Sequence, residues 1–578
     1  MLQGRTFVLK AMWPAFLCVF SVAVMSPTLT AYFHADDGSI VYQLSQIRNP
    51  LAIFFDRNLS LQLNYAHFRP FPFLALWVEH ALSGVNPLGY HLIPAMAVAF
   101  TAFLLGVALS GSGLPLAAGR LAAILFIVSP ATVGTAIWPS AQFDVWAALF
   151  IVLAFVLLVR ARNSDRVGLY GASLGATLLA LLSKESVITV AALLPLVDIA
   201  RFKRLPRLRQ IVECSAWWGI LATYLLWRVM MLGRMGGYRG ADLNGGSFYL
   251  QAMMSLEFYW RLMSNIVSPG NLVLVLVFAV TYAFFLLHTP ARAAWYGAIT
   301  VVCALPAVPL LPWGPLQLRY LYLPGIALIA WFAEATVTVW KSTHLVLRAI
   351  GVLALAYSLV MFGKASADVM RVYRIETDQE EVATRSASKL LRESDQDATL
   401  ILVFRDAFYL DAMLRLSGVA PSLSFRVIEP HPFLASYRLA QQLRDGAAMK
   451  VLVFQDGQTQ DWRDETARAA DRIEAHLALH RLPPPNFSCF VSSDSYLIDL
   501  RIDAASPRRS LTLYYGPWEA GFWQSETPVT PRYKGGTPPG VWFVGAGYTD
   551  PAGLESTIAT AGEPIRIGRD DQNLLRRY

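Results

Sequence analysis

Two carboxylates, Asp36 and Asp37, stand side by side in AYFHADDGSIVYQL, directly after about twenty mostly apolar residues. Like charges at the edge of a low-dielectric phase repel unless a cation or a hydrogen bond compensates them. Other polar residues recur where apolar runs begin or end. They are Arg69 in HFRPF, His91 in NPLGYHL, Asp144 in WPSAQFDVW, Lys184 and Glu185 in LLSKESVITV, and Arg319 with Tyr320 in LQLRYLYLP. Charge at such an edge marks a functional site by default. The residue types suit two tasks. A carboxylate can take a proton from a hydroxyl. Fixed cations at a water-poor surface stabilise charge developing on a phosphate better than water does. Arg forks onto two phosphate oxygens while Lys acts as a point charge, so Arg69, Lys184 and Arg319 suit one phosphate headgroup. A phosphate leaving group needs no protonation, so one base is enough, whereas glycoside hydrolysis uses two carboxyl groups.

Something must carry these residues to one place. The 578-residue chain is 55% hydrophobic and 15% charged, with a mean hydropathy of +0.44. That apolar excess implies a polytopic α-helical membrane protein. The net charge of +8 falls in short loops between apolar runs, where topology explains it and nucleic acid is not needed as a partner. On the rule of roughly 20 apolar residues per span, the first 365 residues divide into about eleven helices. Approximate bounds are 11–31, 88–110, 119–136, 143–160, 168–183, 186–200, 211–232, 270–288, 294–312, 320–338 and 347–364. The apolar N-terminal segment is long and lacks a small-x-small cleavage site, so it reads as a retained span and not a signal peptide.

Orientation follows from RFKRLPRLRQ, where Arg201, Lys203, Arg204, Arg207 and Arg209 crowd one connection that should be cytoplasmic. Parity then puts the N-terminus inside. The Asp36/Asp37 loop, residues 32–87, and everything after 364 fall outside, in a multi-pass protein of the plasma or inner membrane. FPFLALWVEHALSG is short and carries Glu79 and His80, which fits an interfacial helix better than a span. Taken singly, each edge residue has a plain explanation. A lone Lys or Arg is a snorkelling anchor, and Asp144, Asp36 or Asp37 can cap a helix. Anchors, however, should favour the inner face, whereas here a carboxylate pair and three separated cations share the outer one.

After Phe362 the chain turns charged, and a second domain, 365–578, reads as a soluble α/β unit. ATLILVF and MKVLVF alternate with the helical DAFYLDAMLRLSG and LASYRLAQQLRDG, and strand-like segments such as SYLIDLRID and SLTLYYG follow. Of four cysteines, Cys18, Cys214 and Cys303 lie in apolar runs and Cys489 stands alone, so no zinc spacing or intradomain disulfide is available. A divalent cation at the acidic pair is the one cofactor left open, and no His or further carboxylate sits at ligand spacing for it.

ADDGSI, FRPF, NPLGYHL, SKESVITVAALLPLVD and RYLYLP, in that order over roughly residues 11–340, resemble motifs of the GT-C membrane glycosyltransferases. The likeness is greatest to the O-mannosyltransferase-like branch, glycosyltransferase family 39 and its tetratricopeptide-linked relatives. The resemblance implies a long first external loop with juxtamembrane helices, a polyprenyl-phosphate sugar donor, and an acidic residue of that loop as base. Asp36 occupies the first acidic position, with Asp37 in support. The acceptor would be a hydroxyl of a glycan, lipid or protein. One departure is WPSAQFD, where Gln142 stands in place of the family's Arg. Two other classes remain open on the residues alone. A flippase or transporter of lipid-linked sugars should show repeated halves, which are not legible here. An O-antigen ligase or polymerase should use a late outer loop, and the stretch from Gly233 to Pro269 is the only late one of size.

Overall fold

The computed structural model describes residues 2–64, 67–164, 166–194, 208–233, 272–305, 318–341, 344–393, 399–418, 425–455, 460–478 and thirteen strands in all, those of the last part lying between 486 and 567. The basic stretch Arg201 to Arg207 and most of the loop between Gly233 and Pro269 lie outside the described residues.

The first helix, α1, runs Leu2–Met25, ending earlier than its apolar run because Ser26–Thr28, with Pro27 inside it, forms a 3-10 turn. The stretch after α1 folds into four helices: α2 (Asp36–Ser45), α3 (Ala52–Phe55), α4 (Arg57–Leu63) and α5 (Pro70–Ser83). α5 opens on a proline, which costs no helical hydrogen bond there, and stops at Gly84 with φ of 57°. It has the interfacial helix's length, but Glu79 on it is fully buried. α6 (Pro87–Gly111) is capped by Asn86, whose side chain accepts from Leu88 N–H at 3.1 Å.

The expected span 119–136 is bent. α7 (Leu116–Val128) and α8 (Pro130–Ala136) meet at 54°. Ser129 ends one and caps the other, accepting from Thr132 N–H at 3.2 Å, and Pro130 occupies the first position of the new helix. Gly106 of α6 and Gly119 of α7 let the two backbones touch, since a Cβ on Gly119 would lie 2.7 Å from the Gly106 carbonyl. Among the described residues there follow α9 (Gln142–Ser164), α10 (Val167–Ser183), α11 (Ile188–Leu193), α12 (Leu208–Leu232), α13 (Leu272–His288), α14 (Pro290–Ala304), α15 (Tyr322–Trp340) and α16 (Leu345–Glu393). Among the described residues four helices are long and apolar enough to cross a membrane, five if the bent pair is one span. Several further apolar helices, Val167–Ser183 among them, are shorter.

α16 is one helix of 49 residues. No proline interrupts it, so it passes from the apolar run straight into the charged segment. Beyond it lies a four-stranded sheet in the order β2-β1-β3-β4 (Phe425–Ile428, Thr399–Val403, Met449–Gln455, Asp461–Asp464). β1 is parallel to β2 and β3, and β4 is antiparallel to β3. The crossovers are helical: α17 (Ala407–Leu416), α18 (Pro430–Ala435) and α19 (Tyr437–Arg444), with α20 (Thr466–Leu477) after β4. Strands from Asn486 on form a six-stranded and a three-stranded antiparallel sheet.

Among the described residues a separate cluster around Ile401, Val403 and Phe433 fills the α/β layer itself, and two larger cores hold the rest. One lies among the long apolar helices. The other joins the α2–α5 segment to the α/β layer: Phe33, Val41 and Phe73 share it with Leu400, Tyr409, Met413 and Trp462. α2 packs on α17 through its buried face of Asp37, Gly38, Val41 and Leu44. The fit is close, since a Cβ on Gly38 would meet Met413 Cγ at 3.0 Å and Tyr409 at 3.1 Å.

Candidate active site

One short segment connects the acidic loop to the cations. Between α8 and the first turn of α9 the chain reads Trp138-Pro139-Ser140-Ala141-Gln142-Phe143-Asp144. Pro139–Ala141 is a 3-10 turn, so alternate residues of the stretch leave in different directions. Ser140 donates its backbone N–H to Asp37 Oδ1 at 2.7 Å. Gln142 Nε2 donates to Glu79 Oε2 at 3.0 Å while its Oε1 accepts from Trp146 at 2.8 Å. Asp144 Oδ2 takes Lys184 Nζ at 2.5 Å. The Trp138 ring lies under the Arg319 guanidinium, 4.6 Å from its centroid, and 5.9 Å from the His34 ring.

The two adjacent carboxylates have opposite environments. Asp37 is buried and accepts from His34 N–H at 2.9 Å as well as from Ser140. Burial pushes its carboxyl up to about 7, against the two backbone donors, which favour the charged form. Asp36 is exposed and lies beside the β1–α17 connection, where its charge adds to that of Glu380 in raising Asp406, after the larger effect of burial. Neither carboxylate is an N-cap. That position belongs to Ala35, at φ 47° and ψ −118°, a left-handed conformation that residues other than glycine rarely adopt. Asp36 and Asp37 occupy the first helical turn, where negative charge suits the helix dipole.

The cations are held differently from one another. Lys184, at the end of α10, is buried and paired with the buried Asp144. Arg69, ahead of α5, forks onto Glu185 through Nε at 2.9 Å and a second guanidinium nitrogen. His67 lies 3.0 Å and Arg228 3.5 Å from the same carboxylate. Burial alone would raise Glu185, but Arg69 and His67 hold it well below the usual carboxylate range. Arg69 and Arg319 are both near enough to act electrostatically on Lys184. Arg319 has no carboxylate partner among the described residues. It is stacked on Trp138 and Tyr320, donates to Tyr320 Oη at 3.3 Å, and keeps a buried Nε with no hydrogen-bond partner. Tyr320 also faces Lys184, whose Nζ lies 5.1 Å from its ring centroid.

Arg69, Asp144, Lys184, Glu185, Arg319 and Tyr320 therefore form one ledge. His91 is set apart from it, its Nε2 2.9 Å from the Ala31 carbonyl, where it pins the chain leaving α1. The sequence gives no sign of the structural partners His34, His67, Trp138, Arg228 and Glu380, and in it Glu79 serves only to mark 71–84 as an interfacial helix and not a span. Glu79 is pushed well above the usual range by burial, with the Asp37 charge adding to the effect, and Gln142 serves it as a neutral hydrogen-bond donor. A cation there would have made an ion pair instead. Among the described residues no group of three or more His, Cys, Asp or Glu side chains is placed to hold a metal ion.

No family model matches the chain, and no curated protein does. Among solved structures it is similar to ArnT from Cupriavidus metallidurans bound to undecaprenyl phosphate, at 13% identity and a TM-score of 0.40, covering 86% of this chain and 98% of that one. It is also similar to the apo Archaeoglobus fulgidus oligosaccharyltransferase, at 11% identity and a TM-score of 0.47, covering 97% of this chain and 98% of that one. A third is arabinofuranosyltransferase AftD from Mycobacteria, at 14% identity and a TM-score of 0.42, covering 86% and 41%. Each is a distant likeness.

Proposed function

We propose that this chain is a GT-C-type membrane glycosyltransferase that moves a sugar from a polyprenyl-phosphate donor to an acceptor hydroxyl on the extracytoplasmic face. The observation that carries the reading is Arg319, a guanidinium walled by Trp138 and Tyr320, without a carboxylate partner among the described residues and with an unused donor. A cation held this way is preorganised for an anionic headgroup, and the Arg69–Glu185 and Lys184–Asp144 ion pairs lie beside it.

On this reading the acceptor oxygen attacks the anomeric carbon as the bond from that carbon to the phosphate oxygen breaks. The electron pair leaves with the polyprenyl phosphate, whose growing charge Arg319 meets. Asp36, the accessible carboxylate of the pair, receives the hydroxyl proton. Asp37, turned inward onto Ser140 and His34, orients the loop that presents Asp36. His91 fixes the start of the same loop. The O-mannosyltransferase-like motifs make a hexose, mannose first, the donor sugar to try.

The membrane part is taken as residues 1–364, with the N-terminus cytoplasmic and about eleven spans. Residues 365–578 stand on the outer face, where α17 and the acidic loop pack together. A reporter active only in the cytoplasm and fused at Tyr578 stays silent on this topology. The decisive experiment is transfer by the purified full chain from labelled polyprenyl-phosphate hexoses, scanned over sugars and over glycan, lipid and protein acceptors. Movement of the lipid-linked sugar across vesicles with no transfer to any acceptor would establish a transporter instead.

A further inference from the structure

The acidic loop is held by a residue 346 positions further along the chain. His34, two residues before Asp36, places Nδ1 2.9 Å from Glu380 Oε2, a contact spanning 346 residues. Glu380 lies on α16, in the stretch past the apolar run, and its side chain is 2% exposed. Arg405, at the head of the β1–α17 connection, lies 3.3 Å from the other Glu380 oxygen. Glu376, one turn earlier, is 3.6 Å from His34 Nε2. The His34 ring is further walled by Trp138 and Tyr373, at centroid distances of 5.9 and 5.7 Å.

His34 is thus gripped twice. Its side chain is held by α16, and its backbone N–H is held by Asp37. Between it and Asp36 stands only Ala35, in its left-handed conformation. Such a backbone is strained and persists only where the surroundings over-determine it. The two grips on His34 and the Ser140 bond to Asp37 supply that constraint. If the His34 side chain is released, Ala35 can relax toward an ordinary conformation, and the direction in which Asp36 leaves the loop changes with it. Burial lowers the proton affinity of His34, but Glu380 outweighs it and the net direction is upward, which favours the charged, tightly held ring.

We infer that Glu380 is a positioning residue for the transfer reaction: acting through His34, it fixes the strained Ala35 turn and so aims the Asp36 carboxylate. This rests on the reading of Asp36 as the base. It assigns the extension of α16 a task in catalysis that neither composition nor motif places there.

The test compares full-length Glu380→Ala, Glu380→Gln and His34→Ala in transfer from a polyprenyl-phosphate hexose, with donor binding measured separately. Misplacing a reacting group by about 1 Å costs up to about a hundredfold, so Glu380→Ala is expected to lower kcat about ten- to a hundredfold, with the donor KM and Kd changed less than about twofold. Glu380→Gln keeps an acceptor for His34 and is expected to recover most of that loss. In an Asp36→Asn background Glu380→Ala is expected to cost nothing further, because there is no longer a base to aim. Additive losses in that double variant, or wild-type kcat in Glu380→Ala, would overturn the inference. If Glu380→Ala does not fold, His34→Ala removes the same contact from its more exposed end, and unchanged kcat there overturns it equally. Wild-type transfer by Asp36→Asn alone would sink the underlying reading and is told apart from failure of the Glu380 role by that single variant.

Discussion

Asp37 and Ser140 meet across 103 residues of sequence, the Ser140 backbone N–H donating to Asp37 Oδ1 at 2.7 Å. The bond ties the acidic loop to the segment that also holds Asp144, and through it Lys184. It has a consequence for stability against pH. An acid that binds its proton more tightly folded than unfolded contributes stability that is complete below the unfolded value and lost as pH rises through the folded one. Asp37 moves from an ordinary 3.8 up to about 7, so its contribution should decline between roughly pH 4 and pH 7. Asp37→Asn cannot titrate and should flatten that limb when the thermal inactivation midpoint of the full chain is followed against pH. A variant that keeps the wild-type slope would assign the limb to another group.

Lys184 and Asp144 are both buried and lie 2.5 Å apart. Removing one leaves the other as a desolvated, unpaired charge, which costs about 3–5 kcal/mol, while replacing both with apolar residues is often close to neutral. Lys184→Ala should therefore lower the thermal midpoint strongly, and Lys184→Met with Asp144→Leu should restore it. Transfer should stay low in both, because the ledge has lost its cation. Near-normal turnover in the double variant would reduce Lys184 to a membrane-edge anchor.

Arg319 offers the cleaner measurement, since no carboxylate is orphaned by its loss among the described residues. Arg319→Gln is expected to reduce transfer by about two orders of magnitude, as loss of a preorganised charge-stabilising donor commonly does. Its thermal midpoint should move little, by the equivalent of about 1 kcal/mol or less. Arg319→Lys keeps the charge without the fork and should fall between the two. A wild-type rate in Arg319→Gln would remove the observation on which the phosphate site rests.

What the sequence made legible is the set of polar residues at helix ends, because charge is costly there and stands out against apolar runs. Asp144, Lys184, Arg69, Glu185, Arg319 and Tyr320 were all visible in this way. Their pairing was not, since it depends on which helices pack together: Arg69 and Glu185 are 116 positions apart, and Lys184 and Asp144 are 40. Glu79 argues in the sequence only against a membrane span, and the turn at Pro139 is what brings Gln142 to it. The α/β layer was readable from its apolar runs and intervening helices. The shared core between that layer and the acidic loop was not, because Gly38 signals a close approach only once Met413 is placed against it. His34 and Glu380, 346 residues apart, left no local signal at all.

The remaining prediction separates the two adjacent carboxylates. Asp36→Asn preserves shape and removes the proposed base, so transfer should fall by about two to four orders of magnitude, as expected for a group that moves the proton in the transition state. Folding and donor binding should persist, because the exposed Asp36 side chain is not part of the loop's scaffold. Asp37→Asn should cost less in the chemical step and more in stability. Asparagine has one acceptor oxygen where Asp37 uses two, on His34 and Ser140, so one buried backbone N–H is left facing an amide donor, at about 1–3 kcal/mol. Rates and thermal midpoints of the two variants, measured side by side, should therefore rank in opposite orders. A larger loss of rate at Asp37 with its stability intact would move the base one residue along the chain and make Asp36 the supporting group.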